Sequence, residues 1–157
     1  MRVAEITQWV VLLSTGKLDD GLAQFGKKLS EIPGRQLVAV EPKDPRFAEV
    51  RLEYDPQDGS RLLFIDARFA QPEPVNHAQV EKRFGKYVEL PPPVDDFSGQ
   101  SPGTNFIFAE GKDRFSLSIH FKGAVEESVD ATRVSLRRII PFDMTPPKKR
   151  DDEAATP

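Results

Sequence analysis

The chain of 157 residues has no cysteine and only two histidines, two tyrosines and one tryptophan. Without cysteine there is no disulfide, no thiolate metal site and no cysteine nucleophile; a cytoplasmic location is the expectation that follows. His77 and His120 lie far apart, and neither stands at ligand spacing from a second strong ligand. No His-Glu-x-x-His, His-x-His or acidic calcium-loop pattern occurs. The adjacent pairs Asp95-Asp96 and Asp151-Asp152 fall on loop-like stretches, where solvated charge is the ordinary state of such residues. Glycine-rich phosphate loops are missing too: Gly16-Lys17 and Gly26-Lys27-Lys28 stand alone, so nucleotide binding has no support.

Charge of one sign is equally scarce. Twenty-two basic against twenty-five acidic residues leave a formal charge of −3, too small to drive strong attraction to nucleic acid or an anionic membrane. Long apolar runs do not occur. The richest stretch, 1–15, is interrupted by Glu5, Thr7 and Gln8, shows no small-x-small cleavage pattern, and is too short to span a bilayer. It reads as a folded element. The expectations are therefore no metal, no cofactor, no nucleic-acid partner and no membrane.

What the chain does contain is a globular composition, 38% hydrophobic and 30% charged, with length for one domain and a single sizeable core. Eleven phenylalanines make that core one without polar tips to satisfy. Residues 1–143 read as one domain. Residues 144–157, almost without apolar side chains, read as a disordered tail.

Val3, Ile6, Val10 and Leu13 recur at helical spacing, although Trp9 to Leu13 would equally suit a buried strand. Leu18, Leu22, Phe25, Leu29 and Ile32 predict one amphipathic helix over 18–32, capped by Ser14 or Thr15 and stopped by Pro33-Gly34. Strands follow at 36–40 and 50–55. After the turn at 55–60 comes a third at 61–69, apolar on both faces and so expected to be central. Pro72-Glu73-Pro74 punctuates the middle. Asn76 caps a short helix over 77–84, with Gly85 as its C-terminal glycine. A brief extended piece at 87–90 precedes the Pro-, Asp-, Ser- and Gly-rich loop 91–103, long enough to be read as a functional or mobile segment. Strands at 105–109, 114–121 and 132–140 close the chain, the first two joined by a tight turn at 110–113. The fold class expected is α+β, an antiparallel sheet of about six strands with helices packed on one face. Each half offers a helix followed by a meander, without a residue-level repeat between halves.

The most patterned stretch is 114–121. Phe115, Leu117, Ile119 and Phe121 alternate with Arg114, Ser116, Ser118 and His120, which is a strand apolar on one face and polar on the other. Residues 132–140 repeat the device, with Val134 and Leu136 against Arg133, Ser135 and Arg137. Paired, these strands present three arginines, three serines and a histidine. Such a face points to binding rather than catalysis, arginine being favoured at protein interfaces. Bases stack on exposed aromatics, and these two strands offer none outward. Catalytic arrangements fare worse. Ser118 and His120 are neighbours on a strand, and Asp66 would orient the histidine if its strand were adjacent, but no oxyanion motif accompanies them. Glu53, Asp55 and Asp66 are carboxylates of the kind glycoside chemistry uses, yet cross-strand pairs with Arg51, Arg61 and Arg68 account for them better.

The short helix in 75–86, ending in Phe84-Gly85, and the strand 115–121 with Lys122-Gly123 after it, are similar to segments of small bacterial helix-plus-meander domains. These are the β-lactamase-inhibitor-protein-like group and the small outer-membrane-assembly lipoproteins. The chain departs from the lipoproteins in lacking a lipid-attachment cysteine, and from the inhibitors in lacking disulfides. The resemblance implies a non-enzymatic module that docks on a protein through its sheet; no functional residue carries over. The expected function is thus a protein-binding module, an inhibitor or immunity-type partner. Its contacts are expected from Arg114, Ser116, Ser118, His120, Arg133, Ser135 and Arg137 together with the 91–103 loop. The alternatives are an assembly component of a larger bacterial or phage machine, and an enzyme using His120 with Ser118 or Asp66.

Overall fold

The structure, a computed structural model, describes residues 1–90 and 102–140. The expected 144–157 tail and most of the 91–103 loop lie outside them. Three helices and one antiparallel sheet of eight strands make an α+β fold. The elements are α1 (Val3–Thr15), α2 (Leu18–Phe25), β1 (Gly26–Ile32), β2 (Leu37–Pro42), β3 (Phe47–Asp55), β4 (Arg61–Asn76), α3 (His77–Phe84), β5 (Tyr87–Leu90), β6 (Gly103–Glu110), β7 (Asp113–Phe121) and β8 (Ser128–Ile139). Strand order is β1-β2-β3-β4-β8-β7-β6-β5. Each half is therefore a helical segment followed by a four-strand meander, and the two meanders join through their last strands.

Two strands exceed the six expected. One is β5, read from the sequence only as a brief extended piece. The other is β1, which replaces the second half of the helix expected over 18–32. That helix ends at Phe25 because Gly26 takes a φ of 143°, and a Cβ there would lie 2.0 Å from the Glu41 carbonyl oxygen. Leu29 and Ile32 extended the helical period by coincidence. They are 63% and 44% exposed on an edge strand, whereas Phe25 packs edge-on to Trp9 at 5.3 Å. The α2 start also differs: Lys17 N–H donates to Asp20 Oδ2 at 2.8 Å, while Ser14 and Thr15 belong to α1 and bond back to Val10 and Val11 carbonyls. For 3–15 the helical alternative holds, with Ile6, Trp9, Val10 and Leu13 turned to the core.

Pro72 and Pro74 do not end an element; they lie inside β4, sixteen residues long. Pro72 falls where the β4–β8 register breaks, between Arg68 and Glu73, a place where a strand tolerates a residue without an N–H; Pro74 is back in register opposite Asp130, beyond the end of the β3 pairing at Phe69. The second short helix is as expected. Asn76 Oδ1 accepts from Gln79 N at 3.0 Å, and Gly85 follows with φ 101°.

Alternate residues of the strands, Val50, Leu52, Ile65, Ala67, Phe106, Leu117, Ile119, Val134 and Leu136 among them, form one core with the apolar faces of all three helices. The sheet's other face carries no layer among the described residues.

Candidate functional site

The register across the sheet sets the open face out in rows, because directly opposed residues of neighbouring strands share a face. One row runs Leu37, Glu53, Phe64, Arg137, Ser116, Ile107. The next runs Ala39, Arg51, Asp66, Ser135, Ser118, Asn105, Val88. A third runs Glu49, Arg68, Arg133, His120, Gly103, Leu90. Arg114 stands one row further out, between Ala109 and Ile139. All seven residues singled out from the sequence thus fall on one face of two adjacent strands.

They do not form one uniform patch. Arg133 and Ser135 belong to a compact cluster on Asp66, a carboxylate only 3% exposed. Arg133 donates from Nε to Asp66 Oδ1 and from Nη2 to Oδ2, both at 2.5 Å. Ser135 Oγ donates to Oδ1 at 2.7 Å, and Arg51 Nη2 reaches Oδ2 at 2.9 Å. Burial pushes the Asp66 carboxyl up, but hydrogen bonds from Arg133 and Ser135, the Arg133 charge and the Arg51 bond more than offset this and hold it below its usual range. The Arg133 guanidinium is held more firmly protonated, chiefly by its bonds to Asp66. Ser116 and Ser118 are tied together by Asn105, whose Nδ2 lies 2.8 Å and 2.9 Å from their hydroxyls. Arg137 donates to Glu53 at 3.0 Å and sits over Phe64, its guanidinium carbon 4.2 Å from the ring centroid. Arg114 is exposed and has no ion pair among the described residues.

Phe64 and Asp66 are where sequence reading fell short. β4 is central as expected, yet its second face is covered by arginines of neighbouring strands rather than by another layer. Phe64 places an aromatic ring on this face, where the two patterned strands alone offered none. Cross-strand pairing accounts for Glu53 and Asp66, with partners redrawn by the register: Arg137 for Glu53 and Arg51 and Arg133 for Asp66, while Arg68 reaches across to Glu49; Asp55 instead accepts from the Gln57 N–H in the turn that follows β3. Asp66 and His120 are on strands separated by β8, and both Asp66 oxygens accept from Arg133; the adjacency that would let Asp66 orient His120 is not present.

Among the described residues no group of three His, Asp or Glu is placed to hold a metal ion, and no helix is long and apolar enough to cross a membrane. A depression of about 420 Å³ lies between α1 and the β6–β7 turn, lined by Val10, Val11, Arg83 and Lys112, away from the patterned face. On that face a smaller concavity of about 170 Å³ is lined by Arg35, Leu37, Arg51, Glu53, Phe64 and Arg137. Compared with protein-family models, curated proteins and solved structures, the chain matches none.

Proposed function

We propose that this protein is a non-enzymatic binding module whose open sheet face docks on an acidic surface of another protein, as an inhibitor or immunity-type partner does. The observation that carries the reading is the charge of that face. Arg51, Arg68, Arg114, Arg133 and Arg137 stand in its rows, with Arg35 at its rim, against Glu49, Glu53 and Asp66. The excess of guanidinium stands out on a chain of net charge −3, and like-signed patches steer association with surfaces of opposite sign. The serines, Asn105 and the arginines supply donors for a polar interface. The apolar rim of Val88, 63% exposed, and Ile107, 45% exposed, adds area that water leaves readily.

The test compares the protein with an Arg114→Glu, Arg137→Glu variant as bait in lysate of the native source, each shown folded by its thermal transition. One partner retained near stoichiometrically by the native face, released by salt and lost from the variant, supports the reading. Equal retention by both baits would overturn it.

A further inference from the structure

We infer that the 170 Å³ concavity at Phe64 is the anchor pocket of this face, taking the side-chain carboxylate of a glutamate from the acidic partner. The inference rests on the docking reading above and gives it one specific contact. The pocket is small for a cofactor or metabolite and of a size for one side chain. Two of its lining side chains, Leu37 and Phe64, are apolar and suit the two methylenes of glutamate. The others are Arg35, Arg51 and Arg137 against one carboxylate, Glu53.

The three arginines are held differently, and that is what makes the site selective. Arg137 lies on the Phe64 ring and is bonded to Glu53, so its planar fork is fixed with one edge committed and the other available. Arg51 is anchored to Asp66 and Glu49. Arg35 has no ion pair among the described residues. It rises from the β1–β2 turn, which Gly34 and Gln36 shape with φ of 79° and 50°, and the Gln36 carbonyl accepts from Tyr54 N at 3.2 Å. A carboxylate entering beside Glu53 meets Arg35 and the outer edge of Arg137, the geometry in which arginine binds carboxylate through paired charge-assisted hydrogen bonds. A neutral amide of the same shape keeps the methylene contacts and loses the charge.

The probe is N-acetyl-glutamate N-methylamide, titrated into the ¹⁵N-labelled full chain at constant ionic strength, with the glutamine analogue as control. Saturable shifts at the Leu37 and Phe64 amides and the Arg35 and Arg137 Nε–H groups, with the glutamine compound several-fold weaker, are expected. Arg35→Ala, an exposed turn position, should weaken the glutamate response several-fold, while Lys112→Ala, in the β6–β7 turn away from this face, leaves it nearly unchanged. Equal response to both compounds, or linear shifts spread over Arg68 and Arg114 alike, overturns the pocket. Failure of the pocket is separable from failure of the docking face. If Arg35→Ala and Phe64→Ala leave partner capture intact while Arg114→Glu, Arg137→Glu abolishes it, the face stands and the anchor falls.

Discussion

The two meanders contribute four strands each to one sheet, yet their open faces differ in chemistry. In the rows of the N-terminal half, arginine alternates with carboxylate: Glu49, Arg51, Glu53, Asp66 and Arg68. In the same rows of the C-terminal half there is no carboxylate, only arginine, serine, asparagine and histidine, with apolar residues toward the β5 edge. The halves meet at the β4–β8 seam, and there the acidic half neutralises part of the basic one, Asp66 taking Arg133 and Glu53 taking Arg137. An arginine's role therefore depends on its distance from the seam. Arg133 is tied to Asp66, Arg137 is divided between ring, carboxylate and solvent, and Arg114 is exposed. Their one-letter pattern is the same.

Breaking the seam should have the largest effect. Asp66→Ala leaves Arg133 and Arg51 without their shared carboxylate, and we expect a loss of about 3–5 kcal/mol in urea unfolding, as when one member of a buried ion cluster is removed. The Asp66→Ala, Arg133→Met pair should recover part of that loss; a double variant no better than the sum of singles would mean the cluster adds no coupling.

The two ends of the misread helix sharpen the contrast between period and burial. Phe25→Ala should cost on the order of 3 kcal/mol, because it empties the space beside Trp9. Leu29→Ala, at an exposed edge, should stay within about 0.5 kcal/mol. Similar losses for both would restore the longer helix.

In the C-terminal half the core encloses a histidine. His77 is 2% exposed, shares a 2.7 Å hydrogen bond with Thr104, and packs against Tyr87, Phe106 and Phe121. Burial lowers its pKa from 6.5, with Glu81 on the same helix opposing. The unfolded chain then binds the proton more readily than the folded one. Stability is fully present above the unfolded pKa near 6.5 and declines as pH falls from there toward the lower folded value. His77→Gln should flatten that slope in thermal melts between neutral and mildly acidic pH. The Asp66 contribution is lost at still lower pH, as that carboxyl is protonated through its depressed folded value.

The smallest effects belong to the outward arginines. Arg114→Glu should change stability by less than about 0.5 kcal/mol, and Arg137→Glu by no more than about 1 kcal/mol, as for exposed ion pairs. Calorimetric melts check both. A large loss at Arg114 would show it to be structural and remove it from the proposed interface.

Period-two alternation in 114–121 and 132–140 determined that Arg114, Ser116, Ser118, His120, Arg133, Ser135 and Arg137 share one face. Strand geometry permits nothing else once the apolar set is buried. The short helix at 77–84 with its Asn76 cap, the α+β class and the antiparallel meanders were legible for the same reason: each rests on contacts between residues near in sequence. The boundary at Gly26 was not. A helical period carries no information about where a backbone must turn, and the turn is enforced by Glu41, fifteen residues away. The β4–β8 pairing was equally out of reach, since the register that sets Asp66 against Ser135 joins residues sixty-nine positions apart. That pairing decided which arginines are paired with carboxylates, which one rests on Phe64, and which carry no ion pair among the described residues. Local pattern fixes the direction a side chain points, and only long-range register fixes what it meets there.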